Sequence, residues 1–71
     1  KAIDINPNYF EGYSNLGVAL KEQGKLDQAI DSYRQAITIN PDYSEGYNHL
    51  GTALKEQGKL NQAIGAYQKA I

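Results

Sequence analysis

The sequence contains no cysteine, and His49 is its single histidine. Disulfides and the usual zinc clusters, which strengthen many chains of this size, are therefore excluded. The lack of cysteine also fits a reducing compartment, so we expect a cytoplasmic location. A chain of 71 residues forms one domain at most and buries only about 60% of its unfolded surface, so its stability should be marginal.

Charge of one sign and long apolar runs are also missing. The formal net charge is -1, whereas nucleic-acid-binding and anionic-membrane-binding proteins carry basic patches or stripes. No apolar run approaches the roughly 20 residues of a membrane span, and no signal-peptide pattern is present. The first residue is not methionine and already lies in a patterned segment, which indicates a piece of a longer protein. We expect neither a nucleic-acid nor a membrane partner.

The main feature that the sequence does contain is an internal repeat. When the chain is shifted by 34 positions, Pro7 falls on Pro41, and about 25 of the 37 overlapping pairs are identical. The block ALKEQGKL occurs at 19–26 and again at 53–60. Self-similarity at a period of this length is typical of solenoid proteins.

Each repeat is predicted to form two helices. In the first repeat, Tyr13, Leu16 and Leu20 fall on one helical stripe, and Ile30, Tyr33 and related apolar residues fall on a second one. The connection is short, so the two helices must form an antiparallel hairpin. The predicted helices cover residues 9–23, 26–39, 43–57 and 60–71, and residues 1–6 would end an earlier helix.

The predicted helix ends have their own signals. Gly24 and Gly58 can adopt the left-handed conformation that ends a helix. The Asn6-Pro7 and Asn40-Pro41 pairs stop the preceding helices, because proline disfavours the helical region for the residue before it. Asn8 with Glu11, and Asp42 with Glu45, have the spacing of capping boxes.

Small residues are expected where the helices approach each other. The facing stripes contain Gly17, Ala29, Gly51 and Ala63. A bulky side chain at Gly17 should overpack the hairpin and lower its stability by about 1–3 kcal/mol. The remaining space would be filled by tyrosines, namely Tyr13, Tyr33, Tyr47 and Tyr67. Both ends of the fragment should expose apolar surface, which favours end-to-end stacking of copies.

These residues resemble the tetratricopeptide repeat (TPR), whose signature is W-x2-L-G-x2-Y, A-x3-F and P with a period of 34 residues. The chain matches it with Tyr13, Leu16, Gly17, Leu20, Ala29, Tyr33, Ala36 and Pro41, and again with Tyr47, Leu50, Gly51, Leu54, Ala63, Tyr67 and Ala70. The resemblance implies an all-α, right-handed solenoid of antiparallel helix-turn-helix units. It divides the chain into the tail of a preceding repeat at 1–9, one repeat at 10–43, and a second at 44–71 that lacks its end.

The resemblance also implies a concave groove, lined by the first helix of each repeat, that holds a peptide or a partner protein. The residues expected to face this groove lie opposite the buried stripes. They are Glu11, Ser14, Asn15, Val18, Lys21 and Glu22 in the first repeat, and Glu45, Asn48, His49, Thr52, Lys55 and Glu56 in the second. The alternative is that these side chains form an ordinary solvated helix face.

Two binding mechanisms of the family can be compared with these positions. A carboxylate clamp expects lysine where Ser14 stands and asparagine where Val18 stands, so we predict that this fragment has no clamp. An asparagine ladder places an amide just before the Leu-Gly pair, where Asn15 matches and His49 departs from the pattern. We expect Asn15 and His49 to contact a bound backbone, since an amide and a neutral imidazole can both donate and accept hydrogen bonds.

No residue pattern indicates catalysis, a cofactor or a metal site. A catalytic or metal site needs several converging groups, and His49 has only Glu45, four residues earlier, as a candidate partner. The sequence therefore predicts a non-enzymatic module that binds a protein or peptide. Two alternatives stay open: a spacer whose copies stack end to end, and a substrate-selecting appendage of an enzyme such as a glycosyltransferase.

Overall fold

The computed structural model describes residues 9–71, and this part of the chain forms four α-helices. The tail expected at 1–6 and the capping residue expected at Asn8 lie outside this range. The helices are α1 (Phe10–Glu22), α2 (Leu26–Ile39), α3 (Ser44–Glu56) and α4 (Leu60–Ala70). Every boundary falls within one residue of the sequence prediction, so the predicted all-helical architecture is confirmed.

The two hairpin turns are built identically around glycine. Gly24 has a φ of 81° and Gly58 a φ of 84°, the left-handed conformation expected of them. In the first turn, the Gly24 N–H donates to Lys21 O at 2.9 Å and the Lys25 N–H donates to Leu20 O at 2.9 Å. These paired bonds form a Schellman motif, which satisfies the last carbonyls of α1 and reverses the chain.

The connection between the two repeats differs from the capping box that was predicted. Helix α3 begins at Ser44, and neither Tyr43 before it nor Asp42 caps it through a side chain. Instead, Asn40 adopts an extended conformation after α2, and its Oδ1 accepts the Asp42 N–H at 3.2 Å. The Asn40 side chain thus forms a local turn around Pro41 and accepts the Asp42 N–H, which Glu45 would accept in a capping box.

The core lies where the two helices of each repeat meet and where α2 packs against α3. Gly17 of α1 faces the ring of Tyr33 on α2, and Gly51 of α3 faces Tyr67 on α4 in the same way. Tyr33 is completely buried. The buried cluster joins both repeats and consists of Ala29, Ile30, Tyr33, Leu50, Ala53, Leu54, Ala63 and Ala66.

Equivalent residues of the two repeats differ greatly in exposure. Leu50 is 9% exposed because α2 covers it, whereas Leu16, its equivalent on α1, is 47% exposed. Likewise Ile30 is 7% exposed at the junction, but its equivalent Ile64 on α4 is 54% exposed. The expectation that Leu16 is buried is therefore wrong for this chain, because no described helix packs on its side of α1.

Candidate functional site

The first helices of the two repeats form one face of the molecule. Helix α1 contacts α3, whereas α2 and α4 do not contact each other. A pair of helix hairpins that touches along its first helices and spreads along its second helices is concave on the α1–α3 side. We call the solvent-facing surface of α1 and α3 the inner face, and that of α2 and α4 the outer face.

Most of the residues that the sequence predicted for a groove have accessible side chains on α1 and α3. Seven of them are exposed, namely Glu11, Asn15, Glu22, Glu45, Asn48, Lys55 and Glu56. Four are half-buried, namely Val18, Lys21, His49 and Thr52. Their accessibility is compatible with contact to a ligand, and their participation in binding stays a prediction.

Ser14 is the exception, since it is only 2% exposed. It lies near Tyr43, the residue that precedes α3, and the neighbouring Phe10 ring packs edge-on against the Tyr43 ring at 4.7 Å between centroids. Burial raises the pKa of the Tyr43 hydroxyl, and a hydrogen bond with Ser14 opposes this rise. Ser14 is therefore part of the junction between the repeats, and its assignment to the groove surface was wrong.

Polar contacts along one edge of the inner face join the two repeats. Lys21 on α1 lies 3.7 Å from the carboxylate of Glu56 on α3. Gln57, which follows α3, donates a hydrogen bond to Asp27 on α2. An ion pair as exposed as this one contributes roughly 0–1 kcal/mol. These contacts therefore link the two repeats but add little stability.

His49 is fixed by an aromatic contact. Its imidazole stacks on the ring of Tyr33, with 5.4 Å between centroids and 15° between planes. Within residues 9–71, Glu45 accepts a hydrogen bond from the Tyr43 hydroxyl at 3.2 Å and forms none with His49. One face of the imidazole thus packs against the buried Tyr33 ring, and the edge of the imidazole is available to a ligand.

Thr52 has a structural role that the sequence did not reveal. Its hydroxyl lies 3.0 Å from the carbonyl oxygen of Asn48 and 3.0 Å from the hydroxyl of Tyr67. Because the Thr52 hydroxyl donates to the carbonyl, it accepts the proton of Tyr67. The first repeat has Val18 at the equivalent position, so the buried hydroxyl of Tyr33 has no hydrogen-bond partner among the described residues. Burial, followed by the charges of Glu56 and Glu22, raises the pKa of Tyr33.

We therefore expect Val18→Thr to stabilise the chain. The new hydroxyl should accept the proton of Tyr33 as Thr52 does for Tyr67, and a hydrogen bond of this kind contributes about 0.5–1.5 kcal/mol. Urea denaturation followed by circular dichroism would measure the change. The gain should vanish in a Tyr33→Phe background, and an equal gain in both backgrounds would contradict the explanation.

A second group of polar residues lies on the outer face, where the sequence predicted no site. The Lys69 Nζ lies 6.0 Å from the centroid of the Tyr47 ring. Arg34 and Lys69 both line an open cavity of about 280 Å³ between α2 and α4, over the back of α3. Comparison of equivalent positions in the two repeats could have revealed this group, because Lys69 replaces Gln35.

The described residues offer little for other kinds of function. Across 9–71, His, Asp and Glu side chains nowhere gather in a group of three that could hold a metal ion. Each of the four helices is too short or too polar to cross a bilayer.

Two helix hairpins of equal design, joined through equivalent positions at a period of 34 residues, define a helical-repeat protein. A family model described as "TPR repeat" matches residues 19–58, and models described as "Tetratricopeptide repeat" match residues 1–31 and 46–71. The chain belongs to the tetratricopeptide-repeat family. Proteins of this family generally mediate protein–protein interactions, and their repeats are typically non-enzymatic.

Individual relatives agree with this assignment. The small glutamine-rich tetratricopeptide repeat-containing protein 2 of Saccharomyces cerevisiae is 50% identical over 34 residues, which are 48% of this chain and 10% of the yeast protein. A crystal structure of MamA superimposes with a TM-score of 0.86 at 30% identity, over 93% of this chain and 39% of MamA. A second MamA structure gives a TM-score of 0.85 at 30% identity, over 93% and 36%. The chain thus spans less than half the length of each of these relatives.

Proposed function

We propose that the inner face binds an extended segment of a partner protein. Family membership supports the class of function, and the adjacency of α1 and α3 supports the location. The observation that carries the proposal is where the two repeats differ. After the first residue of each first helix, α1 and α3 are identical except at three pairs, namely Ser14/Asn48, Asn15/His49 and Val18/Thr52.

Two of these pairs, Asn15/His49 and Val18/Thr52, have side chains that are exposed or half-buried on the inner face, whereas Ser14 is buried at the junction. The exposed Asn15 amide offers one donor group and one acceptor, which suit a peptide backbone of any sequence. His49, held against Tyr33, would present its ring edge one repeat further along.

Substituting both Asn15 and His49 by alanine should weaken binding of an inner-face ligand by about fivefold to a hundredfold. Each hydrogen bond contributes about 0.5–1.5 kcal/mol, and 1.4 kcal/mol corresponds to a factor of ten. Suitable ligands would come from selection of a random-peptide phage library on the chain, followed by calorimetry with the synthetic peptides.

The matched control is the double variant Gln28→Ala/Gln62→Ala, which removes two exposed amides from the outer helices α2 and α4. It should leave the affinity unchanged. NMR chemical-shift changes should fall on α1 and α3. Peptides that bind with shifts confined to α2 and α4, or that bind the Asn15/His49 double variant as tightly as the parent chain, would refute the proposal.

The second candidate function is structural, and the exposure of Leu16 and Ile64 favours it. Their equivalents Leu50 and Ile30 are both buried at the α2–α3 junction, so the α4 surface of one copy has the residue types that cover α1 of another. Sedimentation from micromolar to about millimolar concentration should show association, which Ile64→Glu should abolish. A strict monomer over this range would contradict end-to-end stacking.

A further inference from the structure

The outer face contains an open cavity that the inner-face function does not use. It lies between α2 and α4, which do not touch, and α3 forms its floor. Two adjoining cavities of about 280 and 310 Å³ share four lining residues, namely Arg34, Tyr47, Leu50 and Lys69. This volume is close to the lower end of the range for ligand pockets, about 300 Å³. It suits one or two side chains of a partner.

The rim of this cavity is cationic and its floor is apolar. Among the described residues, neither Arg34 nor Lys69 forms an ion pair, although Asp31 lies one turn before Arg34 on α2. Lys69 is placed over the Tyr47 ring, a contact that favours a cation at this position. The floor combines Tyr47 and Ile37, which are half-buried, with the nearly buried Leu50.

Comparison of α4 with α2 shows how the positive charge arises. Asp27 and Asp31 of α2 are replaced in α4 by Asn61 and Gly65, and Gln35 is replaced by Lys69. The second helix of the first repeat carries Asp27, Asp31 and Arg34, a net charge of -1, whereas α4 carries only Lys69, a net charge of +1. Gly65 and Lys69 line the cavity, and both differences make the wall that α4 contributes more positive.

Gly65 lies in the cavity wall and carries no charge. It lines the cavity, and a Cβ built on it would meet no atom within 4 Å. An aspartate at this position, as in the first repeat, would place a carboxylate in the wall beside Lys69, one helical turn away. The absence of that side chain therefore removes a negative charge from the mouth of the cavity.

We propose that this outer cavity binds an acidic segment of a partner protein, with a carboxylate between Arg34 and Lys69 and a neighbouring apolar side chain on Tyr47 and Ile37. Charge complementarity selects the carboxylate, and an Arg guanidinium can bind it with two parallel hydrogen bonds. Nucleic acid is disfavoured because the chain has a net charge of -1 and only two cations line the cavity. The proposal is independent of the function proposed for the inner face.

The test uses the 71-residue chain and two peptides with acetylated and amidated ends. One peptide alternates aspartate and leucine over six residues, and the other replaces each aspartate with asparagine. NMR titration of the 15N-labelled chain should give saturable shifts with the acidic peptide at the Gly65 amide, the Tyr47 amide and the Arg34 Nε–H. The neutral peptide should bind at least about tenfold more weakly.

Variants then separate charge from shape. Gly65→Asp should lower the affinity at least roughly tenfold, because it places a carboxylate beside the ligand, whereas Gly65→Asn should retain it within about threefold. Arg34→Gln and Lys69→Gln should each weaken binding about fivefold or more, and Lys59→Gln, an exposed lysine outside the cavity, should not. Circular dichroism would confirm that every variant is folded.

Several outcomes would overturn the proposal. Equal binding of the neutral peptide would show that charge does not select the ligand. Shifts confined to α1 and α3, or no shift at millimolar peptide, would show that the outer cavity is not the site. Stronger shifts at Arg34 and Lys69 with a DNA duplex than with the acidic peptide would assign these cations to phosphate binding instead.

Discussion

Replacing Tyr33 with alanine is expected to lower the free energy of unfolding by about 3–5 kcal/mol, the usual cost of truncating a buried aromatic side chain to alanine. Tyr33 is 0% exposed, its ring lies against Gly17, and the imidazole of His49 stacks on it. The residue therefore contacts both helices of the inner face, α1 and α3, from its position on α2. Its removal would leave a cavity at the point where the two repeats meet.

This loss is comparable with the whole stability of so small a domain, which is roughly 4–10 kcal/mol at about 0.05–0.15 kcal/mol per residue. We therefore expect the Tyr33→Ala chain to be largely unfolded at physiological temperature. Urea denaturation at low temperature, followed by far-ultraviolet circular dichroism, would give the difference in free energy.

Two control variants test whether the effect is specific to the buried ring of Tyr33. Tyr33→Phe keeps the ring and removes a buried hydroxyl that lacks a partner among the described residues, so it should be neutral or slightly stabilising. Tyr67→Ala removes the equivalent tyrosine, which is only half-buried, and should cost less than Tyr33→Ala. Equal losses at Tyr33 and Tyr67 would show that Tyr33 has no special role at the junction.

The sequence predicted the helices well because the signals that determine them are local. Hairpin ends depend on Gly24 and Gly58, whose positive φ is needed whatever the helices pack against. Helix α2 ends before Asn40-Pro41 for a reason that involves only neighbouring residues. Each of these signals occurs in both repeats. A wrong prediction for one repeat would therefore have disagreed with the prediction for the other.

The predictions that failed depend on contacts between repeats. Ser14 occupies a helical position that looks solvent-facing within its own hairpin, but it is buried beside Tyr43, the residue that precedes α3. Leu16 looks buried by the same reasoning, but it is half-exposed because no helix of residues 9–71 packs on its side of α1. The pattern of apolar residues in one helix shows which side of that helix is apolar. It gives no information about which neighbouring element packs against that side.

Capping failed for a different physical reason. The spacing of Asp42 and Glu45 is compatible with a capping box, and the sequence offers no evidence against one. In the structure, the Asn40 side chain accepts a hydrogen bond from the Asp42 backbone N–H, and the Glu45 carboxylate accepts one from the Tyr43 hydroxyl. Asn40 and Glu45 thus compete for one backbone donor, the Asp42 N–H, and spacing alone cannot decide between them.

The sequence did not predict the outer cavity, because the prediction depended on the residues that the two repeats have in common. The wall that α4 contributes is more positive where the repeats differ, at Gly65 and Lys69 in place of an aspartate and a glutamine. In an array whose packing residues are copied, the differing positions are those that packing does not fix. Such positions are the first place to look for a function specific to one repeat.

The glycine at position 17 gives the second large effect. A Cβ at Gly17 would lie 2.7 Å and 2.9 Å from two ring atoms of Tyr33 and closer still to a third. Tyr33 is fully buried and stacked by His49, so its ring has no space into which to move. We expect Gly17→Ala to destabilise the chain by about 1–3 kcal/mol through overpacking, despite the higher helix propensity of alanine.

Two other glycines provide matched comparisons, because the same propensity gain of about 1 kcal/mol applies in every helix interior. At Gly51 the nearest ring atoms of Tyr67 would be 2.8 to 3.0 Å away, but that tyrosine is half-exposed and can shift, so the loss should be smaller. At Gly65 no atom lies within 4 Å, and Gly65→Ala should stabilise the chain by about 1 kcal/mol. Denaturation midpoints should therefore rise from Gly17→Ala through Gly51→Ala to Gly65→Ala. If all three shifted alike, helix propensity alone would account for them, and close approach of the helices at Gly17 would not be required for the fold.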